Sequence, residues 1–143
     1  MVGVVLVGHG MLAPAVLTSI ESVLGHPVPG MVAVGADPED SLPVLRQHIA
    51  AAVASVDQGD GVIILTDMYG DSATNVSVAL ARDARVQVLS GCNLPILVKV
   101  ISARNEVPFD DLPAFLIEYG REHILRAGAG GDDRAPRSLR RRG

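Results

Sequence analysis

Residues 2–7 (VGVVLV) and 62–66 (VIILT) are nearly unbroken runs of β-branched and aliphatic side chains with little polar alternation. Strands buried on both faces of a parallel sheet read this way. Two weaker strand runs follow the same logic, VPGMVAVG at 28–35 and RVQVLSG at 85–91. Between and after them, the sequence predicts helices over 14–24, 42–56, 72–82, 94–104 and 112–126. Pro14, Pro43 and Pro95 each stand near a predicted helix start, where a missing N–H costs nothing. Ser41 and Asn93 are placed to cap the helices that begin at 42 and 94.

The resulting order, β-α-β-α-β-α-β-α-α, has short connections and no internal repeat. Such alternation predicts an α/β fold with an open, doubly wound, mainly parallel sheet, right-handed crossovers and helices on both faces. With the strand order 2-1-3-4, the first and third strands adjoin at the topological switch point, where ligands collect outside the carboxyl ends of the strands. His9 follows the first strand and Asp67 follows the third. The fold thus brings an imidazole and a carboxylate to one crevice.

That pairing has a definite chemistry. A neutral imidazole attacks phosphorus with one ring nitrogen if a carboxylate holds the other as an N–H donor and stabilises the charge that develops. His9 is the candidate phosphoryl acceptor and Asp67 its orienting partner. Gly8 and Gly10 flank His9 and leave room for a bulky phosphoryl donor to approach. Gly70, Asp71 and Ser72 lead into a helix whose first N–H groups and dipole favour an anion, with the Ser72 hydroxyl adding a donor. Gly10 and Met11 are placed to offer backbone N–H groups from the other side. The chemistry needs no metal and no cofactor. Pattern alone also fits a His9 that is merely a hydrogen-bonded loop residue and an Asp67 that only caps a turn. His26, His48 and His123 have no comparable setting and read as surface or capping residues.

Composition narrows the alternatives. At 143 residues the chain is sized for one domain, read as 1–127 with a Gly/Arg-rich, disordered tail at 128–143. No apolar stretch approaches the roughly 20 residues of a membrane span, and Met1 leads straight into a strand without a signal-peptide pattern; the expectation is a cytoplasmic protein. Five of the twelve basic residues, Arg134, Arg137, Arg140, Arg141 and Arg142, form an acid-free end to the tail, so seven bases face sixteen acids before Arg134. The acidic body suits a basic protein partner, and a tail without aromatics gives no case for nucleic acid. The lone Cys92 reads as a small buried hydrophobe. No GxxxxGK[ST] occurs and VGHGMLAP lacks the third glycine of a dinucleotide fingerprint. A receiver phosphorylated on Asp67 would need an acidic pair after the first strand to hold magnesium, where this chain has Gly-His-Gly. A non-catalytic module that holds a small anion and signals by docking is the rival of a different class.

With VVLVGHG, ILTDMYGDSATN and SGCNLPILVKVISAR in order, the chain resembles the enzyme IIA component of the mannose-fructose-sorbose family of the bacterial phosphotransferase system. The phosphocarrier subunit of dihydroxyacetone kinases is similar in the first motif too, but the NLPIL segment favours the sugar-system branch. The resemblance implies that His9 accepts a phosphoryl group from phospho-HPr and passes it to a IIB protein, here a separate chain, in sugar uptake or in regulation. It implies contact with the membrane only through IIC and IID components. It also implies a homodimer with a C-terminal edge strand exchanged between subunits, although AGAGGDDRAPRSLRRRG has no strand-like run. The family usually carries glycine where Asp71 stands and often proline where Ala73 stands, which puts a carboxylate close to the expected phosphoryl site.

Overall fold

The computed structural model describes residues 1–82 and 85–127. Its elements run β1 (Gly3–His9), α1 (Leu12–Leu24), β2 (Met31–Ala36), α2 (Leu42–Val56), β3 (Val62–Thr66), α3 (Ser72–Ala81), β4 (Val86–Leu89), α4 (Leu94–Glu106) and α5 (Leu112–Glu122). The strands form one sheet in the order β2-β1-β3-β4, and every pair is parallel. The predicted α/β architecture and strand order are therefore those observed.

The uninterrupted apolar runs are explained by the two layers that cover the sheet. Val4 and Leu6 of β1, Ile63 and Leu65 of β3 and Leu89 of β4 pack with residues of α1, α4 and α5, including Ile20, Val100 and Leu116. Their sequence neighbours Val5, Val7, Val62 and Ile64 point the other way, onto Leu45, Ile49 and Val56 of α2 and Ala73 of α3. Strict alternation of direction with apolar side chains at both parities is what a strand buried on both faces requires.

Element ends depart from the sequence reading for local reasons. β2 begins at Met31 rather than 28: Gly30 turns the chain at φ +66°, and Val28 N–H is held by the Glu21 carboxylate at 2.9 Å. At the sheet's other edge, β4 ends at Leu89, because Gly91 turns the chain at φ +76° and Cys92 N–H donates to Thr66 C=O at 3.1 Å. α1 starts at Leu12, two residues before Pro14, which keeps the proline within the first turn, where its absent N–H has no intrahelical acceptor. Asn93 caps α4 as expected, its side chain accepting from Ile96 N–H at 3.2 Å, whereas Ser41 makes no side-chain cap to α2. α5 stops at Glu122, short of 126, where His123 N–H turns back onto Gly120 C=O. Among the described residues no helix is long and apolar enough to cross a membrane. The tail at 128–143, and with it the exchanged edge strand, lies outside the described residues.

One residue that pattern reading passed over ties the sheet's far end together. Arg104 of α4 is buried, and its guanidinium donates to Pro29 C=O at 2.6 Å, Gly30 C=O at 3.2 Å and Val2 C=O at 3.5 Å. It thereby fixes the entry to β1 and β2 at the end of the sheet opposite His9.

Candidate active site

The register of β1 sets the site. Its last pairs are Val7 with Thr66 on β3 and His9 with Ala36 on β2, so His9 and Asp67 emerge side by side from adjacent strands. Gly8 eases the packing there, since a Cβ would press on Ala13 at 3.1 Å from its N and 3.2 Å from its Cβ. The loop carrying Asp67 is fastened from below by hydroxyls. Thr74 Oγ donates to Met68 C=O at 2.8 Å and lies 2.9 Å from Thr66 Oγ and 3.4 Å from Ser90 Oγ. These side chains sit beneath the site, and nothing in their sequence pattern separates them from ordinary strand and helix hydroxyls.

Asp67 Oδ2 accepts two hydrogen bonds from His9, from the backbone N–H at 3.0 Å and from ring Nδ1 at 2.9 Å. A carboxylate only accepts, so Nδ1 carries the proton and Nε2 is left with the lone pair. The Asp67 bond and charge, against a smaller effect of burial and with help from Asp71, raise the His9 pKa above its ordinary 6.5. Burial works against the charged form of Asp67, yet the His9 N–H donors and the imidazole charge outweigh it and leave that carboxyl below its usual range.

Asp71 caps α3. Its Oδ1 accepts from Thr74 N–H at 2.7 Å, and its Oδ2 faces His9 Nε2 at 3.4 Å. The carboxylate thus takes part of the helix N-terminus that the sequence reading assigned to phosphate, leaving the N–H groups of Ser72 and Ala73 in the first turn without intrahelical acceptors. Ser72, Gly70, Asp71 and His9 line one crevice of about 370 Å³, together with Asp37 and Asp40 from the loop after β2. Gly10 departs from expectation. Its N–H donates to Ala36 C=O at 2.9 Å and is not available to a phosphate, while its φ of +53° makes the turn that lets Met11 and α1 follow. Met11 is 73% exposed and is the N-cap residue of α1. Cys92 packs against the core layer of α1, α4 and α5, its thiol pushed up to about 12 by burial, which suits a packing role.

One donor atom from each of His9, Asp67 and Asp71 lies within 4.8 Å of the others, so this group has the donors of a cation site.

Comparison with known proteins agrees with this fold. The family described as PTS system fructose IIA component, EIIA-man, matches residues 3–117. The mannose-specific EIIAB component of Escherichia coli (strain K12) is 30% identical over 125 residues, which is 86% of this chain and 38% of that protein. The chain therefore spans about two-fifths of the length of that relative. The fructose-specific EIIA component of Bacillus subtilis (strain 168) is 27% identical over 113 residues, covering 78% of this chain and 77% of the relative. Among solved structures, the phosphotransferase system component EIIA from Streptococcus agalactiae superposes with a TM-score of 0.79 at 28% identity, over 88% of this chain and 97% of that one. A parallel sheet in the order 2-1-3-4 whose switch point carries His9 and Asp67, within a match spanning residues 3–117, makes this chain a member of the EIIA-man family.

Proposed function

We propose that His9 accepts a phosphoryl group on Nε2 from phospho-HPr and passes it to a IIB partner. The observation that carries this reading is the 2.9 Å contact between Nδ1 and Asp67 Oδ2, which leaves the Nε2 lone pair pointing into the crevice. In the step, the Nε2–P bond forms as the P–N bond of the donor phosphohistidine breaks; the Nδ1 proton stays in its bond to Asp67, which balances the positive charge growing on the ring. Ser72, with the N–H groups of Ser72 and Ala73, receives the phosphoryl oxygens. Exchange between two phosphoramidates has little net driving force, so the residues contribute positioning. Met11, Leu12, Met68 and Tyr69, the last 85% exposed, follow His9 and Asp67 in the chain and offer apolar surface on which a partner protein can seat. Residues 1–127 act as one phosphocarrier unit, working as a homodimer in the cytoplasm, in sugar uptake or in regulation.

The chemical stability of the product tests the assignment. A phosphoramidate on His9 is lost in acid and survives base; an acyl phosphate, cleaved by base and hydroxylamine, would move the phosphoryl group to Asp67 and overturn the reading.

Titration gives a further expectation. Because the folded pKa of His9 is raised, the stabilisation it gives is fully present below 6.5 and is lost as pH rises through the folded value. Acceptor activity runs the opposite way, since only the neutral ring attacks: the rate of phosphoryl uptake should rise as pH climbs through that raised value. Ring NMR in chelator-treated buffer should place the His9 pKa above 6.5 in the wild type and nearer to it in Asp67→Asn. A wild-type value at or below 6.5 would contradict the pairing.

Asp71 sets the lifetime of the phosphorylated form. A carboxylate oxygen 3.4 Å from Nε2 repels a phosphoryl group there. Two unit charges 4 Å apart repel by about 1 kcal/mol in water and about 4 kcal/mol at an effective dielectric of 20, and this open crevice lies toward the lower figure. Asp71→Asn keeps a side-chain acceptor for Thr74 N–H and removes the charge, so its phospho-His9 half-life should lengthen several-fold. An unchanged half-life would sink this role.

A further inference from the structure

The contact between His9 Nε2 and Asp71 Oδ2 joins two atoms that both carry lone pairs. In the neutral ring Nδ1 holds the one proton against Asp67, so Nε2 has none to donate. Asp71 is not free to swing away: its side chain is only 8% exposed, and its other oxygen is held by Thr74 N–H at 2.7 Å. Among the described residues Oδ2 receives no hydrogen bond. Two acceptors held face to face at 3.4 Å are stable only with an electrophile between them, whether a proton, a phosphoryl group or a metal ion.

The geometry points to a divalent-cation site of the Zn²⁺ class, with His9 Nε2 and Asp71 Oδ2 as its two protein ligands. With metal–ligand lengths of about 2.0–2.2 Å, a 3.4 Å separation of the two donors subtends roughly the tetrahedral angle at the ion. Asp67, hydrogen-bonded to the far ring nitrogen, occupies the place of the carboxylate that orients metal-bound histidines and strengthens them as ligands. The remaining positions face the crevice, where water completes the shell. Imidazole with carboxylate suits Zn²⁺ and its neighbours in the transition series, whereas Mg²⁺ prefers an all-oxygen shell with much of its water retained. Asp37 and Asp40 line the same crevice and concentrate cations there.

The site stands on this geometry. Its consequence rests on the phosphotransfer reading, because the ion would occupy the same lone pair that takes the phosphoryl group. Bound Zn²⁺ then blocks uptake, and Asp71, which disfavours the phosphoryl group, favours the ion.

The test uses Zn²⁺ alone, titrated into the chelator-treated 143-residue chain, followed by calorimetry and by NMR of the four histidine rings. One Zn²⁺ per chain should bind, moving the His9 signals and leaving those of His26, His48 and His123 in place, while Mg²⁺ moves none. His9→Ala should abolish saturable binding. Asp71→Asn, which retains the cap on α3, should weaken it by about ten- to a hundredfold, with circular dichroism showing that each variant is folded. No saturable binding, or an unchanged affinity in Asp71→Asn, would overturn the site. So would binding that survives His9→Ala and is lost in His48→Ala, since His48 Nδ1 has its own carboxylate, Asp40 Oδ2, at 3.9 Å. The titration needs no phosphoryl donor, so the cation site and the phosphotransfer reading fail separately.

Discussion

His9→Ala is expected to take up no phosphoryl group from phospho-HPr, and Asp67→Asn to take it up about 10²–10⁴-fold more slowly. The first follows from removing the acceptor atom; no other histidine lies in the crevice. The second follows from what Asp67 does without touching the phosphoryl group. Its Oδ2 fixes the ring through Nδ1 and fixes the backbone through His9 N–H, so one oxygen sets both the tautomer and the ring's position. An asparagine presents either a neutral oxygen, which loses the charge that stabilises the phosphorylated ring, or an amide N–H, which favours the wrong tautomer. Losses of this order accompany removal of a positioned base or of the group that fixes its tautomer. His9 is about half exposed, so its truncation should leave thermal unfolding almost unchanged. The measurement is the initial rate of transfer from phospho-HPr. A His9→Ala protein that is phosphorylated at the wild-type rate, or an Asp67→Asn protein that is not slowed, would contradict the roles given to these residues.

The largest loss of stability is expected at the centre of the sheet. Ile64→Ala should cost about 2–5 kcal/mol, out of a total of about 5–15 kcal/mol for a domain of this kind. Ile64 is 0% exposed and points from β3 into the layer formed by α2 and α3. That layer is the thinner of the two, with Leu45, Ile49 and Val56 of α2 and Ala73 of α3 as its buried helical residues, so little is free to close over the space left behind. For 143 residues a loss of this size lowers the melting temperature by on the order of 10 °C. The site should suffer too, because α3 carries Asp71 and Thr74 and rests on the same layer. A melting point within about 2 °C of wild type would mean that the layer rearranges to fill the cavity.

The sheet was legible because β1 and β3 are buried on both faces and therefore advertise themselves as apolar runs, and the strand order then brought His9 to Asp67. Asp71 was legible as a residue out of place beside an anion site, although the sequence did not say that it would cap α3 and face Nε2 together. Other features were not legible. Thr66, Thr74 and Ser90 form the support beneath the loop through contacts across 8 and 16 residues, and hydroxyl side chains have no periodicity that announces such a network. The N–H of Gly10 was expected to face a phosphate, but β1 and β2 continue their pairing one step beyond the strand ends and engage it with Ala36. Arg104 reads as an ordinary basic residue near a helix end, and only the packing of α4 beneath the start of β2 turns it into a donor for three carbonyl groups.

The most direct measurement of phosphotransfer is the intact mass of the protein after incubation with phosphoenolpyruvate, enzyme I and HPr, for the wild type, His9→Ala and Asp67→Asn. The predicted result is one added phosphoryl group on the wild type, absent from His9→Ala and delayed in Asp67→Asn. An unmodified wild type under conditions where HPr itself is phosphorylated would contradict the central claim and leave a crevice that binds without carrying a phosphoryl group.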